Sequence, residues 1–193
     1  MMTPKATSVT EAGKPDGYAV PELFRGEVSP DGRTRLAVCA PPERLAVIHR
    51  ALVEALEAPL SVMYVQRVDR RAGRNLEESG GKPRRYLSVD IPAERVLSVF
   101  DRCRTLLYQD GRHQTWVRGA MREQLILEYD GMLFLYPDDL SFRDVLHGLG
   151  VREDAKAQAI GDRDYVKVNF QATADPEEAR LMAELRLQEY GEG

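Results

Sequence analysis

A ten-residue pattern recurs in this chain, with five identities. Leu36-Ala37-Val38-Cys39-Ala40-Pro41-Pro42-Glu43-Arg44-Leu45, laid over Leu87-Ser88-Val89-Asp90-Ile91-Pro92-Ala93-Glu94-Arg95-Val96, shares Leu, Val, Pro, Glu and Arg at an offset of 51 and sets Leu45 against Val96. Each copy reads as a strand, an immediate Pro and a helix. Pro is tolerated in the first turn, where its missing N–H has no partner in any case. Glu43 and Glu94 meet the positive end of the helix dipole there. At the same offset Val62–Val68 falls over His113–Gly119, so each helix is followed by another strand. Two such β-α-β units in tandem constrain the fold to the α+β class. The expectation is a ferredoxin-like split β-α-β pseudo-repeat over 33–119, with both helices on one face of an antiparallel sheet.

The flanking pattern fills in the rest. Residues 1–20 read as a flexible N-terminal tail, and 21–193 as a single α+β domain. Glu22–Val28 and Arg33–Ala40 read as strands joined by the turn Ser29-Pro30-Asp31-Gly32. The first helix runs to about Leu56, with Leu45, Ile48, Leu52 and Leu56 on one face. Leu60–Val68 and Arg85–Ile91 are strands around a long polar stretch. The helix opened by Pro92 carries Val96, Val99, Phe100, Cys103, Leu106 and Leu107 inward. Beyond residue 120 a C-terminal ββαβα extension is expected. Its hairpin is Glu123–Tyr129 and Met132–Tyr136 about Asp130-Gly131, since a type I′ turn needs positive φ at both central residues. A short helix follows from a capping box at Ser141, then a strand over Arg163–Phe170 and a helix from Asp175.

At 193 residues, with 43% hydrophobic and 30% charged side chains, the chain can close a core without disulfide or metal. Cys39 lies in a strand and Cys103 in a helical apolar stripe, so both read as buried, inert thiols. No run of 18 apolar residues is present, so no membrane partner is expected. Met1 to Gly17 lacks the apolar stretch of a signal peptide, which points to a cytoplasmic location. A net charge of −4 gives no global attraction to nucleic acid. The strands that would stack RNA bases carry only Tyr86, so nucleic acid is disfavoured as a partner.

One segment departs from that charge. Arg67, Arg70, Arg71, Arg74, Lys82, Arg84 and Arg85 face Asp69, Glu77 and Glu78 within 67–85, a net +4 on a chain whose remainder carries −8. Guanidinium forks match carboxylate and phosphate, so this basic arm, with Gly73, Gly80 and Gly81 to loosen it, is the candidate anion- or partner-binding site. Asp138, Asp139, Asp144, Asp162 and Asp164 match no calcium loop, and His49, His113 and His147 have no neighbour at metal-ligand spacing. His49 aligns with Phe100 in the repeat and reads as packed. Trp116, Tyr129, Phe134 and Tyr136 are candidates for a pocket or interface. No phosphate loop or nucleophile elbow is present. The sequence therefore points to a non-catalytic binding or regulatory protein acting through protein contacts, with no catalytic residue, cofactor or metal. The alternatives are a small-molecule or anion binder, or an enzyme whose groups converge only in the fold.

Overall fold

The computed structural model describes residues 2–69, 74–75, 81–166 and 169–191. The strands are β1 (Thr7–Ser8), β2 (Leu23–Val28), β3 (Thr34–Cys39), β4 (Leu60–Gln66), β5 (Val68–Asp69), β6 (Arg74–Asn75), β7 (Arg84–Ile91), β8 (His113–Arg118), β9 (Gln124–Leu127), β10 (Leu133–Tyr136), β11 (Arg152–Glu153), β12 (Tyr165–Val166) and β13 (Gln188–Glu189). The helices are α1 (Pro42–Glu54), α2 (Ala93–Arg102), α3 (Arg104–Gln109), α4 (Leu140–Gly148) and α5 (Ala174–Glu184). Among the described residues nine strands form one sheet in the order β11-β2-β3-β10-β9-β8-β4-β7-β13, antiparallel except for the parallel pair β11–β2. All five helices contribute to the apolar core on one face, against Phe24, Leu36, Val38, Val62, Tyr64, Val117, Leu125, Leu127, Leu133 and Leu135 from the strands. No described helix is long and apolar enough to cross a membrane.

The α+β class and the placement of both repeat helices on one face agree with the sequence. The strand order does not follow the ferredoxin-like expectation. β7, α2, α3 and β8 form a split β-α-β unit around β4, but the hairpin β9–β10 stands between β3 and β8. The first strands of the supposed extension are therefore the middle of the sheet. The reason is in their composition. Leu125, Leu127, Leu133 and Leu135 face the helices while Ile126 and Phe134 face the other way. A hairpin apolar on both faces belongs in the centre, where both faces can be covered. The helix expected from Pro92 also breaks, at Cys103 (φ −119°, ψ 36°). The Glu177 carboxylate accepts the Leu106 amide at 2.7 Å, satisfying a donor that the new helix start leaves open. The α4 cap is Asp139 rather than Ser141: its carboxylate accepts from the Ser141 amide. The strand expected over 163–170 is described only at β12, with a 3-10 turn at Ile160–Asp162 before it. Residues 167–168 lie outside the described set.

The repeat reappears at the sheet's edges. Arg44 and Arg95, equivalent at the offset of 51, each reach the C-terminal carbonyl of a later helix: Arg44 to Leu149 O at 2.9 Å, Arg95 to Glu184 O at 3.0 Å. Both helices end in a Schellman turn. In α4 the amides of Gly150 and Val151 bond His147 O and Leu146 O, and in α5 those of Arg186 and Leu187 bond Ala183 O and Met182 O. Each turn delivers a two-residue strand to an edge, β11 onto β2 and β13 onto β7.

The α5 end is pinned by a buried ion pair. Asp110, fully buried, accepts the backbone amide, the Nε–H and an Nη2–H of Arg112 and the Gln171 amide, and Arg112 extends to Asp175 at 3.0 Å. Removing one partner strands the other charge in a dry site, at a cost of about 3–5 kcal/mol. Arg112→Ala should therefore lower the urea midpoint by a large fraction of the total stability. A midpoint within error of the parent would show that α5 is held by its apolar face alone.

Candidate functional site

Among the described residues no α-helix joins the apolar cluster on the sheet's second face. Register places one row of side chains straight across it: Leu87 opposite Met63, Met63 opposite Trp116, Trp116 opposite Ile126, Ile126 opposite Phe134 and Phe134 opposite Ala37. Two irregular segments cover one end of this row. Residues 4–20, read from sequence as a tail, are built into the fold: Lys5 and Ala6 are 1% exposed, and β1 pairs with β12. Ala6, Tyr18 and Val20 join Ala157, Ala159, Ile160 and Tyr165 over Leu23, Ala37, Cys39, Met132 and Phe134. The two segments are stitched together by Tyr18 Oη donating to Gln158 O and by Arg163 to Asp16 at 2.7 Å. Arg25 clamps both Asp162 oxygens at 2.8 Å, which fixes the 3-10 turn to β2.

The cover stops near Ile126. Beyond it Ser61, Met63, Leu87, Val89, Trp116, Arg118 and Gln124 form an open groove of about 340 Å³, with Tyr190 at its margin. Two depressions of about 400 and 440 Å³ continue it along the β7 edge, lined by Arg186, Gln188 and Glu189 and by Lys82, Arg84 and Arg85. Among the described residues that line the three hollows, Lys82, Arg84, Arg85, Arg118 and Arg186 are basic and Glu189 is acidic, and Arg84 and Arg85 have further partners of their own. Val89 is 55% exposed and Tyr190 50%, so the floor is apolar and wet while its rim is cationic.

The sequence-derived arm meets this surface in part. Lys82, Arg84 and Arg85 lie on its rim. Arg67 instead lies over the Tyr129 ring at 4.3 Å. Arg74 is in β6, which pairs with β5 at the tip of the β4–β7 connection. Arg70 and Arg71 lie outside the described residues. Of the four aromatic candidates only Trp116 lines the groove. Phe134 lies under Arg35 at 3.7 Å and Tyr136 under Arg33 at 4.4 Å. Met63, Leu87, Val89 and Tyr190 are not site candidates in the sequence. The one signal for the first three is the alternation along β4 and β7, which marks a second apolar face without saying that it is left bare.

The other buried or paired titratable groups are packed away from the groove. His49 is fully buried, its Nδ1 3.0 Å from Tyr108 Oη and its ring stacked on Phe100. Burial, with Lys5 nearby, pushes its pKa down to about 3. His113 stacks on Tyr64, whose hydroxyl donates to Glu178. Burial raises the thiol pKa of Cys39 and of Cys103 to about 11, which keeps both protonated at neutral pH. Asp138 pairs with Arg143 and Asp162 with Arg25. Among the described residues no group of three His, Cys, Asp or Glu could hold a metal ion. No known protein-family model, curated protein or solved structure matches the chain.

His49 gives this side a pH signature. Below the ordinary histidine pKa of 6.5 the unfolded chain takes up a proton that the folded chain refuses until about pH 3. Stability therefore falls as pH drops through that window. Burial raises the pKa of Glu128 and of Asp130 from their ordinary values, which acts in the opposite sense. The difference between the parent and His49→Phe isolates the histidine. Between pH 7 and pH 4.5 the melting temperature of His49→Phe should fall less than that of the parent; parallel curves would mean that His49 protonates in place.

Proposed function

We propose that this chain is a non-catalytic binding protein that docks a protein partner on the bare half of its sheet. One observation carries the reading. The apolar row from Leu87 to Phe134 is covered at one end by two stitched segments and left open at the other. Partly exposed Met63, Leu87 and Trp116 beside the exposed Val89 are a standing source of association free energy, about 25 cal/mol per Å² of apolar surface removed from solvent. Trp and Tyr at a groove margin are the side chains that anchor such contacts.

The rim selects the partner's chemistry. Arg118 lines the floor and Arg186 and Lys82 line the hollows beside it, so the surface fits a protein segment that brings acidic residues beside apolar ones. Segment 67–85 carries a net +4 on a chain whose remainder carries −8, and such polarity orients a partner before contact.

The test compares the parent with Val89→Asp and with Leu140→Asp. Val89 is half exposed on the groove floor, while Leu140, 77% exposed, opens α4 on the helix side. Neither change should move the melting temperature by more than a few degrees. A protein captured from native lysate by the parent and by Leu140→Asp should fall at least tenfold with Val89→Asp. Equal capture by all three would remove the groove as the docking surface.

A further inference from the structure

The sheet's two edges close by the same device but not with the same strength. At the β2 edge the Schellman turn uses Gly150 in the left-handed conformation (φ 77°), which costs glycine nothing. The strand it delivers is then tied down by side chains: Arg143 and His147 both hold Glu153. Asp154 accepts the amides of Lys156 and Ala157 and donates its own to Phe24 O. At the β7 edge the same position is Arg186, with φ 54°, a conformation that strains an L side chain. Leu187 packs against the core, and after it the anchors end. Gln188, Glu189, Tyr190 and Gly191 are all exposed, and no side-chain hydrogen bond or ion pair holds them among the described residues. Backbone pairing keeps them in place: Gln188 opposite Leu87, Glu189 opposite Tyr86, and the Tyr190 amide donating to Arg85 O at 2.7 Å.

This segment is also a sample of what the surface accepts. Its register puts Tyr190 on the groove side, where it lines the hollow with Met63, Leu87, Val89 and Trp116. Glu189 lines the neighbouring hollows with Lys82 and Arg186. A short extended acidic stretch with an aromatic at an alternate position thus lies on an edge that is apolar and cationic. We propose that the β7 edge is a strand-addition site for extended acidic segments bearing an aromatic side chain, and that residues 188–191 are its displaceable occupant within the same chain. The proposal rests on the reading of the bare half-sheet as the docking surface and names the form of the segment that docks. Backbone bonds to β7 supply the pairing, while the groove and its rim read alternate side chains. A tethered occupant competes at an effective concentration on the order of millimolar, so it suppresses weak ligands and yields to tighter ones.

The probe is a synthetic peptide of residues 187–193, Leu-Gln-Glu-Tyr-Gly-Glu-Gly, added to the full chain. Trp116 is the single tryptophan and lines the groove, so its emission reports occupancy. Glu189→Lys/Tyr190→Ala in the full chain weakens the resident segment at two exposed positions. This variant should bind the peptide at least tenfold more tightly than the parent. Added salt should weaken that binding, and a peptide with Ala in place of its Tyr should lose it. A chain ended after Leu187, with an unchanged circular-dichroism spectrum, should show the same gain. Equal affinity for parent and variant, or no binding to either altered chain, would overturn the proposal. If that result came while Val89→Asp still lost its captured protein, docking on the half-sheet would stand and strand addition alone would fall. If Val89→Asp kept its captured protein, both would fall.

Discussion

A wide sheet has two faces to bury, and this chain has helices for only one. The rest of the structure follows from how the second face is handled. Leu87, Met63, Trp116, Ile126, Phe134 and Ala37 stand in one row across six strands, so the second face is apolar along most of its width. Two segments without long regular elements, 4–20 and 157–165, are spent on the end that includes Phe134 and Ala37. They could not lie there on apolar contact alone, because irregular backbone brings polar groups that must be satisfied. Hence the density of ties at that end: Arg25 on Asp162, Arg163 on Asp16, Tyr18 on Gln158 and the β1–β12 ribbon. Nothing equivalent lies over Met63 and Leu87 among the described residues.

The same economy shapes the edges. An unpaired strand edge invites another chain, and proteins cap it or charge it. Here both edges carry a two-residue cap thrown from a helix end, placed by equivalent arginines of the repeat, Arg44 and Arg95. The β11 cap is bonded through side chains and its turn uses Gly150. The β13 cap has a strained Arg186 behind it and exposed residues throughout. The weaker cap is the one beside the open groove. Edge, groove and cationic rim therefore coincide at a single corner of the molecule, which is what a site for an extended partner segment requires.

The sequence was most legible where the physics is local. Pro41 and Pro92 start helices, Asp130-Gly131 turns a hairpin, and the stripes of α1 and α2 face the core. The repeat placed two strand–helix units and hid the topology, because the same local pattern serves several strand orders. The clue to the true order was the apolar run on either side of Asp130, whose double-faced burial demands a central position. The arm was legible as charge, and Lys82, Arg84 and Arg85 do border the groove. Arg67 was spent on Tyr129 instead. The groove floor was not legible. Met63, Leu87 and Val89 look like any buried face of a strand, and whether a face is covered depends on segments far away in sequence. Residues 4–20 show the same limit: polar, with scattered Pro and Gly, they read as tail, yet Lys5 is buried against the His113 carbonyl at 3.5 Å.

The claim on which the account stands is that a partner closes the bare half of the sheet. Hydroxyl-radical footprinting of the natively purified complex reads it directly, because the modified side chains are named residue by residue. Met63 and Trp116 should be protected in the complex relative to the isolated chain, while Phe170, 62% exposed and stacked under Arg112 away from the groove, should react equally in both. Protection of Phe170 with unchanged modification of Met63 and Trp116 would place the partner elsewhere and contradict the account.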